Sequence, residues 1–166
     1  MSGKLYTHGE GEFGKLGHGD EQSHFTPSLV RSLLVPVESG GEQLEERVVA
    51  VACGGSHTLA ITELFARNDQ VSVPLGGGGA SGLLGQRGSG SRGRRGFVYA
   101  WGDGNCGQLG RGNRAEEGLK ANVPARITAF EKLRAQPVAI AAGQSHSALI
   151  TGSILYKYNT LEQVIQ

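Results

Sequence analysis

Residues 96–112 read GFVYAWGDGNCGQLGRG and residues 3–19 read GKLYTHGEGEFGKLGHG, so one glycine-spaced pattern occurs twice in the chain. The two stretches align without a gap and share a tyrosine, a leucine and six glycines. A second match follows, because VVAVACGGSHTLAIT at residues 48–62 aligns with PVAIAAGQSHSALIT at residues 137–151. In each copy a proline segment separates the two parts. This repeated order of three parts identifies an internal repeat.

Each part of the repeat predicts a local structure. Residues 4–8 and 97–101 are short runs of β-prone side chains, and the glycines after them favour tight turns over helix. Residues 48–52 and 138–142 are near-continuous apolar runs, typical of strands buried on both faces, and a return strand follows each. Each copy is therefore expected to form a four-stranded antiparallel sheet. Because one such sheet cannot bury its own faces, the sheets are expected to pack as blades of a β-propeller.

The second copy resembles the regulator-of-chromosome-condensation repeat. The resemblance is carried by GFVYAWGDGNCGQLGRG, VPARI and VAIAAGQSHSALIT in that order, and it extends over residues 3–62 and 96–151. It implies an all-β fold built from propeller blades, and it assigns structural roles to the positions that recur between copies. These positions are Gly9, Gly11, Gly14, Gly17, His57, Trp101, Gly102, Gly104, Gly107, Gly110 and His146.

The repeat divides the chain into four segments. Residues 1–62 form the first repeat, residues 63–95 a flexible insertion rich in glycine and arginine, and residues 96–151 the second repeat. Residues 152–166 are a partial third repeat or a frayed tail. About two blades cannot close a ring, and their open edges favour association. Three alternatives remain: a fragment of a longer propeller, a ring completed by self-association, or a chain that folds only in part.

Composition excludes several classes of protein. The 28 glycines have no Gly-X-Y period, so the chain is not collagen, and a net charge of +1 identifies no partner. Cys53 and Cys106 do not make a disulfide framework, and no apolar run is long enough to span a bilayer. We therefore expect a soluble intracellular protein, cytoplasmic or nuclear, with no membrane partner.

The string Gly102-Asp-Gly104-Asn-Cys-Gly107 matches the Gly-x-Gly-x-x-Gly pattern of dinucleotide-binding proteins. That fingerprint needs a helix whose N-terminus meets the pyrophosphate, whereas Gln-Leu-Gly-Arg-Gly follows here. The spacing recurs at Gly9, Gly11 and Gly14, again without a helical sequence after it. The pattern therefore predicts structural turns and no bound cofactor.

His57 and His146 each follow a serine, Ser56 and Ser145, and they occupy matching places in the repeat. A catalytic or metal-binding histidine is one interpretation. A buried imidazole hydrogen-bonded to neighbouring backbone is the preferred one, because no orienting acid and no zinc spacing accompany the histidines. We predict no catalytic residue and no metal ligand in this chain.

The insertion carries the only candidate contacts for a partner or for phosphate, namely Arg87, Arg92, Arg94 and Arg95. Arginine among glycine and serine can bind nucleic acid or an acidic protein, and Ser89 and Ser91 between them are candidates for modification. A solvated insertion is the alternative interpretation, so the sequence leaves nucleic-acid binding open. The acidic residues Glu42, Glu45 and Glu46 are expected to lie in a solvated loop or a short helical turn.

The preferred function is a non-catalytic protein-interaction scaffold, since propeller loops bind partners while the strands hold the ring. The resemblance implies a Ran-type small GTPase, chromatin, or a ubiquitin-ligase or kinase region as the functional context. It also implies guanine-nucleotide exchange, although no motif here identifies exchange residues. Two alternatives are a nucleotide-binding enzyme that uses the glycine string and a truncated, non-functional propeller fragment.

Overall fold

The computed structural model describes residues 3–34, 36–39, 42–66, 96–112, 119–133 and 136–152. Nine strands are present in these ranges, together with three short 3-10 helices at Glu12–Gly14, Arg31–Leu33 and Thr128–Leu133. The strands are β1 (Tyr6–Gly9), β2 (His24–Leu29), β3 (Pro36–Ser39), β4 (Glu42–Cys53), β5 (His57–Ala66), β6 (Gly96–Asp103), β7 (Lys120–Arg126), β8 (Gln136–Ala142) and β9 (Ser147–Gly152). The prediction of an all-β fold built from antiparallel blades is confirmed.

The central sheet has the strand order β3-β4-β5-β6-β7, and every pairing in it is antiparallel. Its middle pair, β5 and β6, stays in unbroken register from His57 opposite Gly102 to Glu63 opposite Gly96. These two strands hold most of the β-branched and aromatic side chains of the central sheet, which favour the half-buried surface of a sheet. The middle of this sheet is therefore the best-packed part of the described chain.

The central sheet does not coincide with one copy of the repeat, contrary to the expectation that each copy forms its own sheet. β4 and β5 come from the first copy, whereas β6 and β7 come from the second. The remaining strands form two separate pairs, β1 with β2 and β8 with β9. Because β6 pairs with the free side of β5, the blade spans the junction between the two copies.

Strand β4 corrects a further expectation. The acidic residues Glu42, Glu45 and Glu46 lie within this strand rather than in a loop, and Glu46 accepts a hydrogen bond from the Thr62 hydroxyl on β5. Because β4 pairs with β3 on one side and with β5 on the other, the strand continues through these acidic residues.

The valine-rich runs are not buried on both faces. Val49 and Val51 of β4 are 49% and 41% exposed, and Val138 of β8 is 62% exposed. Successive residues of a strand point to opposite faces. One face of each run therefore packs in the core while the other meets solvent.

Each face of the central sheet is covered by a different segment. On one face Trp101 Nε1 donates to the Lys15 carbonyl at 2.8 Å, and Thr58 Oγ1 donates to the same oxygen at 2.9 Å. On the opposite face His57 contacts Ser147, so the β8-β9 pair packs there. The contacts of Trp101 with Lys15 and of His57 with Ser147 each join one copy of the repeat to the other.

Among the described residues, no helix has the length and hydropathy that crossing a membrane requires.

Candidate interaction surface

His57 joins the central sheet to the β8-β9 pair. Ser147 Oγ donates to the Gln108 carbonyl at 2.7 Å, so the same hydroxyl accepts from His57 Nε2 at 2.9 Å. This order of donors assigns the hydrogen to Nε2 and leaves Nδ1 as a buried acceptor with no hydrogen-bond partner. His57 is 1% exposed, and its hydrogen-bond partner is a side chain of the other copy rather than neighbouring backbone.

His146 has the same local backbone as His57 and a different environment. Each imidazole lies against the glycine three residues before it, Gly54 or Gly143, where a Cβ would overlap the ring. In each copy the glycine N–H also donates to the histidine carbonyl. His146 is nevertheless exposed, together with the preceding Ser145. The repeat therefore sets the turn, whereas burial of the histidine depends on what packs over it.

Burial gives His57 a pH-dependent effect on stability. Desolvation lowers the pKa of His57 below its ordinary value of 6.5, with an opposing contribution from Asp103 and a further lowering from His146. The unfolded state then binds more protons at pH values below about 6.5, so the folded state loses stability as the pH falls through that range. We expect a lower melting temperature at about pH 5.5 than at about pH 7.5 by differential scanning calorimetry.

The variant His57→Gln tests this assignment, because an amide can donate to Ser147 without titrating. We expect it to reduce the loss of melting temperature on acidification. The matched control Val138→Gln changes an exposed strand position that does not titrate and should leave the slope unchanged. Equal slopes in all three proteins would contradict a role for His57.

A second polar cluster holds the turn after β6. Asp103 accepts from Gln108 Nε2 at 3.0 Å and from the Asn105 N–H at 3.1 Å, and Ser56 Oγ lies 3.5 Å from its carboxylate. Gln108 also accepts from the Cys106 N–H at 2.8 Å. Sequence reasoning missed Asp103 and Gln108 because their partners lie on both sides of a turn whose shape was unknown.

The two serines next to His57, Ser56 in the chain and Ser147 in space, do not have the geometry of a nucleophile with its base. Ser56 points to Asp103, and Ser147 gives its hydrogen to a backbone carbonyl while His57 donates to it. A histidine nitrogen that already carries a hydrogen cannot accept one from the serine. The hydrogen bonds of Ser56, His57 and Ser147 instead connect the two copies of the repeat.

The glycine strings form the same pair of turns in both copies. Gly14 N–H donates to Gly11 O and Gly17 N–H to Gly14 O, and Gly107 and Gly110 repeat the pattern with Gly104 and Gly107 as acceptors. Gly14, Gly17, Gly107 and Gly110 all have positive φ. In the first copy the string itself contains a single 3-10 turn, Glu12–Gly14. Both strings therefore build turns, and in the described residues that follow them, 15–23 and 108–112, no helix begins that could hold a phosphate.

Turns from both copies meet along one rim of the blade, which we call the turn rim. It contains residues 54–56, 103–107 and 143–145. Gly55 N–H donates to Gly143 O at 3.2 Å, and Asp103 N–H donates to Ser56 O at 2.9 Å. Gly55, Asn105 and Gln144 expose their atoms there. The rim is thus a fixed polar surface supplied by three turns.

A cavity of about 280 Å³ lies between the central sheet and the β8-β9 pair. Its apolar lining includes Leu59, Val98 and Leu149, and His146 and Cys106 stand on its polar side. Cys53 and Cys106 are both exposed free thiols. The predicted contact residues Arg87, Arg92, Arg94 and Arg95 lie outside the described residues, as do residues 153–166.

The blade, its repeated turns and the contacts between copies define a β-propeller repeat protein. The model of the regulator of chromosome condensation (RCC1) repeat matches residues 2–61 and 95–150. The chain belongs to this repeat family, which confirms the resemblance read from its motifs.

Similar proteins are much longer than this chain. The human E3 ubiquitin-protein ligase HERC2 is 34% identical over 92% of the chain, which spans 2% of that protein. The ultraviolet-B receptor UVR8 of Arabidopsis thaliana is 32% identical over 89% of the chain, which spans 23% of that receptor. The crystal structure of Prp20p from Saccharomyces cerevisiae, a protein described by its binding to Gsp1p and histones, superposes over 93% of the chain and 28% of its own length. Its TM-score is 0.52 at 17% identity, so that likeness concerns the fold.

Proposed function

We propose that this chain is a non-catalytic protein-interaction part of a propeller and that its turn rim contacts the partner. The observation that carries the proposal is the meeting of three turns from two copies on one rim, fixed by hydrogen bonds between them. The side chains of His57, Ser147 and Trp101 make hydrogen bonds to neighbouring segments of the same chain. They therefore stabilise the fold and are not available to a partner. Recognition is then left to side chains that the turns expose.

The partner we propose first is a small GTPase of the Ran type inside the cell, in the cytoplasm or the nucleus. Support comes from the structural neighbour, whose description names binding to Gsp1p and histones. A ubiquitin-ligase context is the further proposal from HERC2. Exposed rim residues such as Asn105 and Gln144 carry no charge, so recognition there depends on hydrogen bonding and shape.

Binding of a nucleotide-free Ran-type GTPase to the immobilised chain tests the proposal. We expect saturable binding that Gln144→Arg weakens at least about tenfold, because a long charged side chain would displace a partner from the rim. The matched control Val138→Lys places a charge on an exposed strand position away from the rim and should bind normally. Histones form a comparison arm, and release of labelled GDP measures exchange separately. Absence of binding in both arms would overturn the proposal.

A further inference from the structure

Two histidines of the first copy stack on each other beside the β1-β2 pair. The ring centroids of His18 and His24 lie 4.3 Å apart, and the two ring planes differ by only 13°. His18 lies in the glycine turn that follows the 3-10 helix, whereas His24 is the first residue of β2. Both side chains are half-buried. The stack therefore joins the turn to the strand that comes after it.

Each imidazole is held by one hydroxyl of the strand pair. Thr7 Oγ1 donates to the Leu16 carbonyl at 2.7 Å, so it accepts the ring N–H of His18 Nε2 at 3.0 Å. Ser28 Oγ donates to a backbone carbonyl at 3.2 Å, so it accepts from His24 Nδ1 at 2.8 Å. This order of donors leaves a lone pair at Nδ1 of His18 and at Nε2 of His24. A proton can add to either ring there without breaking its hydrogen bond.

The second copy of the repeat lacks all four polar side chains of this cluster. The strand register is the same in both copies, because Ala100 pairs with Ala125 as Thr7 pairs with Ser28. The repeat therefore forms its strand pair without the stack, which only the first of the two copies carries. The residues at the four matching positions are Ala100, Arg111, Ala121 and Ala125.

The stack holds a segment that covers Trp101, and we call residues 15–24 the covering segment. The Lys15 carbonyl accepts from Trp101 Nε1 at 2.8 Å. The Gly19 N–H donates to a carbonyl of β7 at 2.9 Å. His18 lies between these two contacts, so its release from the stack would loosen the cover of the indole.

Protonation opposes the stack. Burial lowers the pKa of His18 below its ordinary value of 6.5 and the charge of His24 lowers it further, whereas Asp20 and a hydrogen bond with Thr7 raise it. The unfolded chain then binds more protons than the folded chain below about pH 6.5, so the stack loses stability as the pH falls through that range. Two imidazolium rings at this separation also repel each other.

The other charged groups around the covering segment have partners of their own. Lys15 pairs with Glu10 at 2.6 Å, and Glu21 pairs with Lys120 of β7. His8 follows Thr7 on β1, so it points to the opposite face of that strand. Repulsion between the two stacked rings is therefore opposed mainly by Asp20.

The geometry favours a proton over a metal ion as the ligand of these rings. The lone pair of an imidazole lies in the plane of its ring, and two nearly parallel rings hold their lone pairs in separate planes. Two ligands of one ion need lone pairs that converge on it. In the part of the chain that the structure describes, no cluster of three or more histidine, cysteine or acidic side chains could hold a metal.

We propose that the stack of His18 on His24 is a pH-sensitive latch, which holds the covering segment when the rings are neutral and releases it when both are protonated. The hydroxyls of Thr7 and Ser28 accept from the rings in either state, so repulsion between the rings drives the opening. Opening uncovers Trp101. The latch acts within the first copy and is independent of the partner proposed above.

Quenching of Trp101 fluorescence by acrylamide measures the latch, because Trp101 is the only tryptophan and acrylamide is uncharged. We expect the quenching constant of the unmodified chain to rise at least about twofold between about pH 7.5 and about pH 5.5, since local opening exposes the indole. His24→Phe keeps a stacked ring that cannot be protonated, so the low quenching constant should persist at both pH values. Circular dichroism at each pH checks that the chain stays folded.

A swap of neighbouring residues gives a matched variant. His24→Phe combined with Phe25→His keeps the composition and moves the histidine to a position that is 96% exposed. We expect this double variant to lose the acid response as His24→Phe does. Val138→Gln, at an exposed position of β8, should keep the response of the unmodified chain.

Salt tests the repulsion in the unmodified chain. At about 1 M salt the Debye length falls to about 3 Å, so the rise in quenching at acid pH should become smaller. A rise that persists in His24→Phe would overturn the latch and assign the response to another group, such as His57. Quenching that does not change with pH in the unmodified chain, or a rise that salt leaves intact, would also overturn it.

Discussion

Replacement of Trp101 by alanine is expected to lower the free energy of unfolding by about 3–5 kcal/mol. The indole is fully buried between the central sheet and the turn that contains Lys15, and a Cβ on Gly17 would lie 2.8 Å from its Nε1. The substitution removes both the packing and the hydrogen bond to the Lys15 carbonyl. A loss of this size approaches the whole stability of many domains, so partial unfolding at room temperature is expected.

Chemical denaturation followed by circular dichroism measures the effect, since Trp101 is the only tryptophan and its fluorescence disappears with it. Trp101→Phe should cost less, because Thr58 still satisfies the Lys15 carbonyl. Phe25→Ala, at a site 96% exposed, should change stability by no more than about 0.5 kcal/mol. Similar losses for Trp101→Ala and Phe25→Ala would refute the central role of Trp101.

The repeat predicted the strands and turns but not how strands from different copies combine. A repeated sequence does not show where one structural unit ends and the next begins. Gly54 and Gly143, for example, occupy equivalent positions wherever the boundary between units is placed. Pairing is decided by which strand meets the free side of β5, and that information lies in three-dimensional contacts such as Thr62 opposite Phe97. The spacing of the motifs therefore identified the family while leaving the boundary of the blade undetermined.

Predictions based on residue type were wrong where a neighbouring strand supplies a hydrogen bond. Glu46 has low intrinsic preference for a strand, yet Thr62 donates to it from the adjacent strand. Asp103 and Gln108 have no distinctive spacing, and their importance comes from the hydrogen bonds that close one turn. His57 and His146 were indistinguishable in sequence, although one is buried and the other is exposed. Local sequence determines the turn around each histidine, whereas its burial depends on whether a strand pair packs over it, as β8-β9 does over His57.

The same separation of local and neighbouring effects can be measured at Gly14 and Gly107. Both have positive φ, at 72° and 80°, so alanine should impose a similar backbone cost of about 1–2 kcal/mol at each site. Only at Gly14 would the new methyl group also meet a neighbouring strand, through Asn122. We expect Gly14→Ala to be less stable than Gly107→Ala by a further 1–3 kcal/mol or so.

Urea denaturation of both variants gives this difference directly, because the two backbone conformations match and only the neighbouring strand differs. Equal stabilities would mean that the strand carrying Asn122 yields to the methyl group at little cost. A larger loss for Gly14→Ala would show that the same glycine turn is more costly to change where a neighbouring strand packs on it.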